Sequence, residues 1–205
     1  MTDGVNRRAV LGAGVALGAA AMAPALAAAE TRPDAGTRVV LVDHALPQAG
    51  RFAAEARRLG MTVAVTDGDL TSLWMDELET RWRREPSVLG GVTRPGAVAF
   101  LQLMAHRNRM RLSLRIDHEP AFGGVLRHRG VLPSALADGA PARLESDWVR
   151  GAARLIADCP RSAPEARMDL TARARSAAGD AGGEAVVSWL ITPVSSARPG
   201  AWRAA

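Results

Sequence analysis

The chain has 205 residues, 48% of them hydrophobic and 23% charged, with a formal net charge of +5 and a mean hydropathy near zero. These proportions fit one soluble globular domain and exclude collagen-like, wholly disordered and multi-span membrane classes. All 26 basic residues are arginine and tyrosine is absent, so only the single cysteine and the amino terminus titrate between histidine and arginine; the isoelectric point of about 11.1 therefore overstates a modest charge, and no nucleic-acid partner is expected.

Residues 1–29 run from a polar start through an Ala/Gly/Val/Leu stretch to Ala27-Ala28-Ala29, the order of a charged region, an apolar region and a small-residue cleavage site. The segment Asn6-Arg7-Arg8-Ala9-Val10-Leu11-Gly12 resembles the twin-arginine (Tat) leader, in which Ser or Thr, paired arginines and one further residue precede hydrophobic residues. Asn6 stands where Ser or Thr is usual, and Gly12 where Lys is common. The resemblance implies recognition by the Tat translocase and export of a folded protein to the bacterial periplasm, a route whose passengers often carry a cofactor or travel with an exported partner. Pro24 precedes the cleavage site, so the mature chain is expected to start at Ala28 or Glu30 and to hold no membrane span. Left uncleaved, residues 9–29 would be long enough to tether the domain to a membrane. Cys159 is the single cysteine, which excludes an intrachain disulfide and cysteine-built zinc, iron-sulfur and c-type haem sites.

After a polar linker at 30–36, one domain is expected over 37–194, with a loose tail at 195–205. Residues 38–43 are a continuous apolar run ending in Asp43, the pattern of a strand buried on both faces. A helix is expected over 47–60, with Phe52, Ala53, Ala56 and Leu59 inward and Arg51, Glu55, Arg57 and Arg58 outward. A β-branched run follows at 61–66, and a helix over 70–84 places Leu70, Trp74, Leu78 and Trp82 on one face. Residues 90–95 read as a turn leading into a third helix through Arg107. Residues 110–117 alternate strictly, with Met110, Leu112, Leu114 and Ile116 opposite Arg111, Ser113, Arg115 and Asp117, so this strand has one wet face and suits an edge or an antiparallel pairing. A helix at 145–157, a polar helix or disorder over 163–183, and a last strand at 184–192 complete the reading. Alternating strands and helices predict an α/β three-layer sandwich with a mostly parallel sheet, Rossmann-like or flavodoxin-like in outline, and a mixed or antiparallel edge.

Ligands of open α/β sheets gather outside the carboxyl ends of the strands. There the sequence offers Asp43-His44, Asp67-Gly68-Asp69 and Asp117-His118-Glu119. If these strands are parallel neighbours, His44, Asp67, Asp69 and His118 are candidates for acid-base hydrolysis, and His44, Asp67 and His118 for a divalent metal. The plainer reading is that acids at strand ends start loops and cap helices, and an antiparallel strand would carry His118 to the opposite rim. A second candidate is Gly90-Gly91-Val92-Thr93-Arg94, whose Thr93 and Arg94 at a helix start suit an anion, with ordinary capping as the alternative. No G-x-G-x-x-G or P-loop lysine is present, so no nucleotide cofactor is expected. Serine motifs of hydrolases are also missing around Ser188 and the other serines, and His106 and His128, set among arginines, read as parts of a solvated face. The function expected is therefore that of a non-catalytic binding or accessory protein of a larger exported system. The alternative is a small metal-assisted hydrolase with its site at the carboxyl ends of the strands.

Overall fold

Val39–Asp43 forms β1, and all of its residues are buried, as an apolar run between two neighbouring strands requires. The computed structural model describes residues 38–162, 166–175 and 184–194; the expected leader, linker and C-terminal tail lie outside the described residues. After β1 come α1 (Ala49–Arg58), β2 (Thr62–Thr66), α2 (Thr71–Leu73, a π-helical turn Trp74–Leu78, then Glu79–Arg84), β3 (Leu89–Thr93) and α3 (Pro95–Arg107). The second half contains β4 (Met110–Ala121), β5 (Val125–Pro133), α4 (Ala140–Ser146), α5 (Trp148–Asp158), β6 (Arg167–Arg175) and β7 (Val186–Pro193).

The seven strands pair in the order β2-β1-β3-β7-β4-β5-β6. Only β1 with β2 and β1 with β3 are parallel, whereas β3–β7, β7–β4, β4–β5 and β5–β6 are antiparallel. The α/β class is as expected, but the mostly parallel sheet is not what forms: the sheet is mixed and mostly antiparallel. The antiparallel insertion of β7 between β3 and β4, together with two further strands not read from the sequence, accounts for the difference. Residues 125–133 turn back on β4 as a hairpin through Gly123 and Gly124, both at positive φ, and Arg167–Arg175, expected as polar helix or disorder, adds to that hairpin as β6.

Residues 89–93, expected mostly as a turn, are a fully buried strand. A Cβ on Gly91 would run into the Leu41 carbonyl and lie 3.0 Å from the Trp189 ring, and one on Gly90 would lie 2.8 Å from Leu190 Cδ1. The glycine pair thus serves close packing inside the sheet rather than a turn.

One core gathers Val40, Val42 and Val92 with Leu114, Ile116, Leu126, Leu132 and Leu170 under α1, α4 and α5. The other gathers Val39, Leu41, Ala64, Leu89, Trp189 and Ile191 under α2 and α3, and includes no residue of β5 or β6. Helices therefore flank both faces around β1 and β3, while β5 and β6 expose Arg129, Asp169, Thr171, Arg173 and Arg175 on the face away from α4 and α5. The alternation read in 110–117 is split by a bulge between Leu112 and Leu114. Met110 and Leu112 enter the second core, whereas Leu114 and Ile116 enter the first, because the extra residue Ser113 switches the face. Glu55, expected outward, is buried and held by Arg58 at 2.7 Å and by Arg154 of α5 at 3.3 Å, with its carboxyl pulled down to about 2 chiefly by the Arg58 hydrogen bond.

Candidate functional site

At the carboxyl end of β1, the fully buried Asp43 accepts hydrogen bonds from the Ala45 amide at 3.1 Å and from Arg94 Nε at 2.8 Å. Arg94, which precedes the first residue of α3, also donates to the Asp67 carbonyl at 2.9 Å. One guanidinium from the tip of β3 thereby ties down the ends of β1 and β2. Its charged form is favoured further by the Asp43 hydrogen bond, and the side chain remains 42% exposed against 0% for Asp43. Gly68, at φ +94°, is required beneath it, since a Cβ there would collide with the Arg94 guanidinium.

The neighbouring acids are engaged locally. Asp67 accepts from the Asp69 amide at 3.1 Å, and Asp69 accepts from the amide of Thr71, the first residue of α2, at 2.9 Å, which lowers the Asp69 pKa. His44 is exposed, with Nδ1 3.0 Å from the Thr66 carbonyl. A carbonyl only accepts, so Nδ1 carries a proton and Nε2 is the nitrogen left for another partner. Thr93 is fully buried, and its hydroxyl accepts from Trp189 Nε1 at 3.0 Å. Of the glycine-rich anion candidate, Arg94 is thus the part left facing solvent.

His118 does not join this rim. Strands β3 and β7 intervene between β1 and β4, which sets β1 and β4 about 14 Å apart at ordinary strand spacing, too far for His44 and His118 to share a metal ion with ligand distances near 2 Å. The direction of β4 does match that of β1, because two antiparallel steps separate it from β3. Its histidine nevertheless turns inward and is buried.

In the core, His118 Nδ1 lies 2.7 Å from His128 Nδ1, and His118 Nε2 lies 2.9 Å from Ser188 Oγ. Trp148, the first residue of α5, covers the pair with its ring centroid 4.3 Å from that of His118. His128, expected on a solvated face, is fully buried, and its Nε2 has no hydrogen-bond partner among the described residues. The Nδ1–Nδ1 contact requires one ring to donate and the other to accept, so at most one of the two can carry a charge. Burial pushes His128 down to about 4 and His118 well below the usual range, with the His128 charge adding to the effect on His118. Ser188, His118 and His128 follow the order nucleophile, base, orienting group, but all three are buried without access for a substrate. A usable signal was present: Gly123-Gly124 closes a hairpin in which Ala121 opposes Val125, which sets His118 directly against His128.

A cavity of about 300 Å³ opens at the other end of the sheet between Arg38, Leu59, Gly60, Met61, Ala157 and Arg161. Arg38 donates there to the Ile156 carbonyl at 2.8 Å and to that of Cys159, so it closes the carboxyl end of α5. The Cys159 thiol is buried and pushed up to about 11 by that burial, which makes it inert at neutral pH. Among the described residues, no three His, Cys, Asp or Glu side chains are grouped to hold a metal ion, and no helix is long and apolar enough to cross a membrane. No family model, curated protein or solved structure matches the chain.

Proposed function

We propose that this chain is an exported periplasmic protein that works by binding, as an accessory of a larger exported system, and that it takes an anionic group at the rim formed by Asp43, Asp67 and Arg94. What carries the reading is the Arg94 guanidinium, oriented by a buried carboxylate and a carbonyl while still open to solvent. It stands between β1 and β3, where α1 leaves one face of the sheet and α2 packs on the other. In a Rossmann-like arrangement that is the crevice where ligands collect. A fixed guanidinium meets a carboxylate or phosphate with two hydrogen bonds and little loss of freedom, which suits a small acid or an acidic side chain of a partner. The twin-arginine resemblance of residues 6–12 supplies the proposed address.

Titration with inorganic phosphate, small dicarboxylates and acidic peptides, read by calorimetry, tests the site. Wild type is expected to bind at least one of these classes, and Asp43→Asn/Arg94→Gln, which keeps a neutral hydrogen-bonded pair, is expected to lose that binding while staying folded. Equal binding by the double variant would move the site elsewhere. The metal-assisted hydrolase is the second reading, because His44 is exposed and its Nδ1 is held by the Thr66 carbonyl, which leaves Nε2 for a metal or for proton transfer. One equivalent of metal lost on His44→Ala would favour it over the binding role.

A further inference from the structure

The sheet ends at β2, five residues long, on one side and at β6, nine residues long, on the other. Among the described residues β6 pairs with β5 alone, so its outer backbone groups have no strand partner there. Edges that must stay single are commonly shortened, bulged, interrupted by proline, charged or covered by a helix; here α4 packs against β6, and the exposed face of the strand carries Asp169, Arg173 and Arg175. Arg167–Arg175 contains no proline, and it follows β5 in unbroken register from Arg167 opposite Pro133 to Arg175 opposite Val125. Leu170, Ala172 and Ala174 are buried along one face, Asp169, Thr171, Arg173 and Arg175 are exposed along the other, and Met168 at the start of the strand is 51% exposed.

We infer that β6 is a self-association edge, which pairs antiparallel with β6 of a second copy of this chain about a two-fold axis at Ala172 and joins two seven-stranded sheets into one. The charge pattern of the strand argues for this occupant and this register. A two-fold axis perpendicular to the sheet keeps each face continuous, so only registers centred on a residue are allowed. Centred on Ala172, Asp169 meets Arg175, Leu170 meets Ala174 and Thr171 meets Arg173, each pair occurring twice. Two opposite-charge pairs form and no like charges stand opposed. Centring on Thr171 would offset its Asp169–Arg173 pairs by setting Arg167 against Arg175, and centring on Leu170 would set Arg167 against Arg173. In this register a second copy matches Arg175 with Asp169 and sets no two arginines of the strand directly against each other.

Light scattering coupled to size exclusion, on the full chain over a concentration series, tests the inference with a charge swap. Wild type is expected to dimerise. Asp169→Arg is expected to weaken the dimer by roughly tenfold or more, since two symmetric cross-strand pairs turn from attractive to repulsive. Adding Arg175→Asp restores opposite charges in the reverse sense and is expected to recover the dimer. Both side chains are exposed, and an unchanged unfolding midpoint confirms that the fold is intact. A wild type that stays monomeric at its highest soluble concentration, a dimer indifferent to Asp169→Arg, or a double variant no tighter than the single one would overturn the inference.

Discussion

Acidification from pH 7 to 5 is expected to lower the free energy of unfolding steeply, through His118 and His128. In the unfolded chain both rings take a proton near the ordinary histidine value of about 6.5. In the folded protein burial holds His128 neutral down to about 4 and holds His118 neutral well below the usual value. Between these limits the unfolded state binds protons that the native state does not, so stability falls as pH falls, by about 1.4 kcal/mol per pH unit for each histidine. The His128 share amounts to about 3 kcal/mol between pH 6.5 and 4, a large part of the stability of a domain of this size. Glu55 acts in a separate, lower window, between the usual glutamate value and about 2, so data from pH 6.5 to 5 isolate the histidine pair. Urea midpoints at half-unit pH steps are expected to drop across that range in wild type and to stay flat in His118→Leu/His128→Leu. A wild-type midpoint independent of pH there would mean that the rings are not buried as a neutral pair.

Arg94→Ala is expected to destabilise the protein by about 3 kcal/mol, because it strands the carboxylate of a fully buried Asp43. The figure sits at the low end for a broken buried pair, since the Arg94 side of the contact is already open to water. Asp43→Asn/Arg94→Gln removes both charges together and is expected to cost much less than the single change. Chemical denaturation of the two single variants and the double variant gives the coupling directly. An Arg94→Ala protein as stable as wild type would show that the clamp at the rim is not formed.

The first half of the fold was legible because each element announced its period and its punctuation. The buried run ending in Asp43, the amphipathic face around Phe52 and Ala56, and the stripe of Leu70, Trp74, Leu78 and Trp82 fall where the structure places them. β3 and the second half were less legible for physical reasons. Gly90-Gly91 read as a turn because close packing against Leu41 and Trp189 comes from strands far away in sequence. β6 read as helix or disorder because its buried residues are mostly alanine, which gives a weak alternation beside exposed arginines. His128 read as solvated because arginines flank it, yet in a strand adjacent residues face opposite ways, and the arginines take the open face. At the rim the residue types were visible and the pairing was not: Asp43 meets Arg94 only because β3 lies beside β1.

The central claim is that the protein acts by binding at the Asp43–Arg94 rim. Native mass spectrometry of the protein recovered from cells that export it tests this most directly, because one spectrum reports cleavage, bound small molecules, metal and partners together. The account predicts a chain beginning at Ala28 or Glu30 that carries a small anion or a stoichiometric protein partner, lost in Asp43→Asn/Arg94→Gln. A chain that carries one metal ion released by His44→Ala, or one that carries nothing, would contradict it.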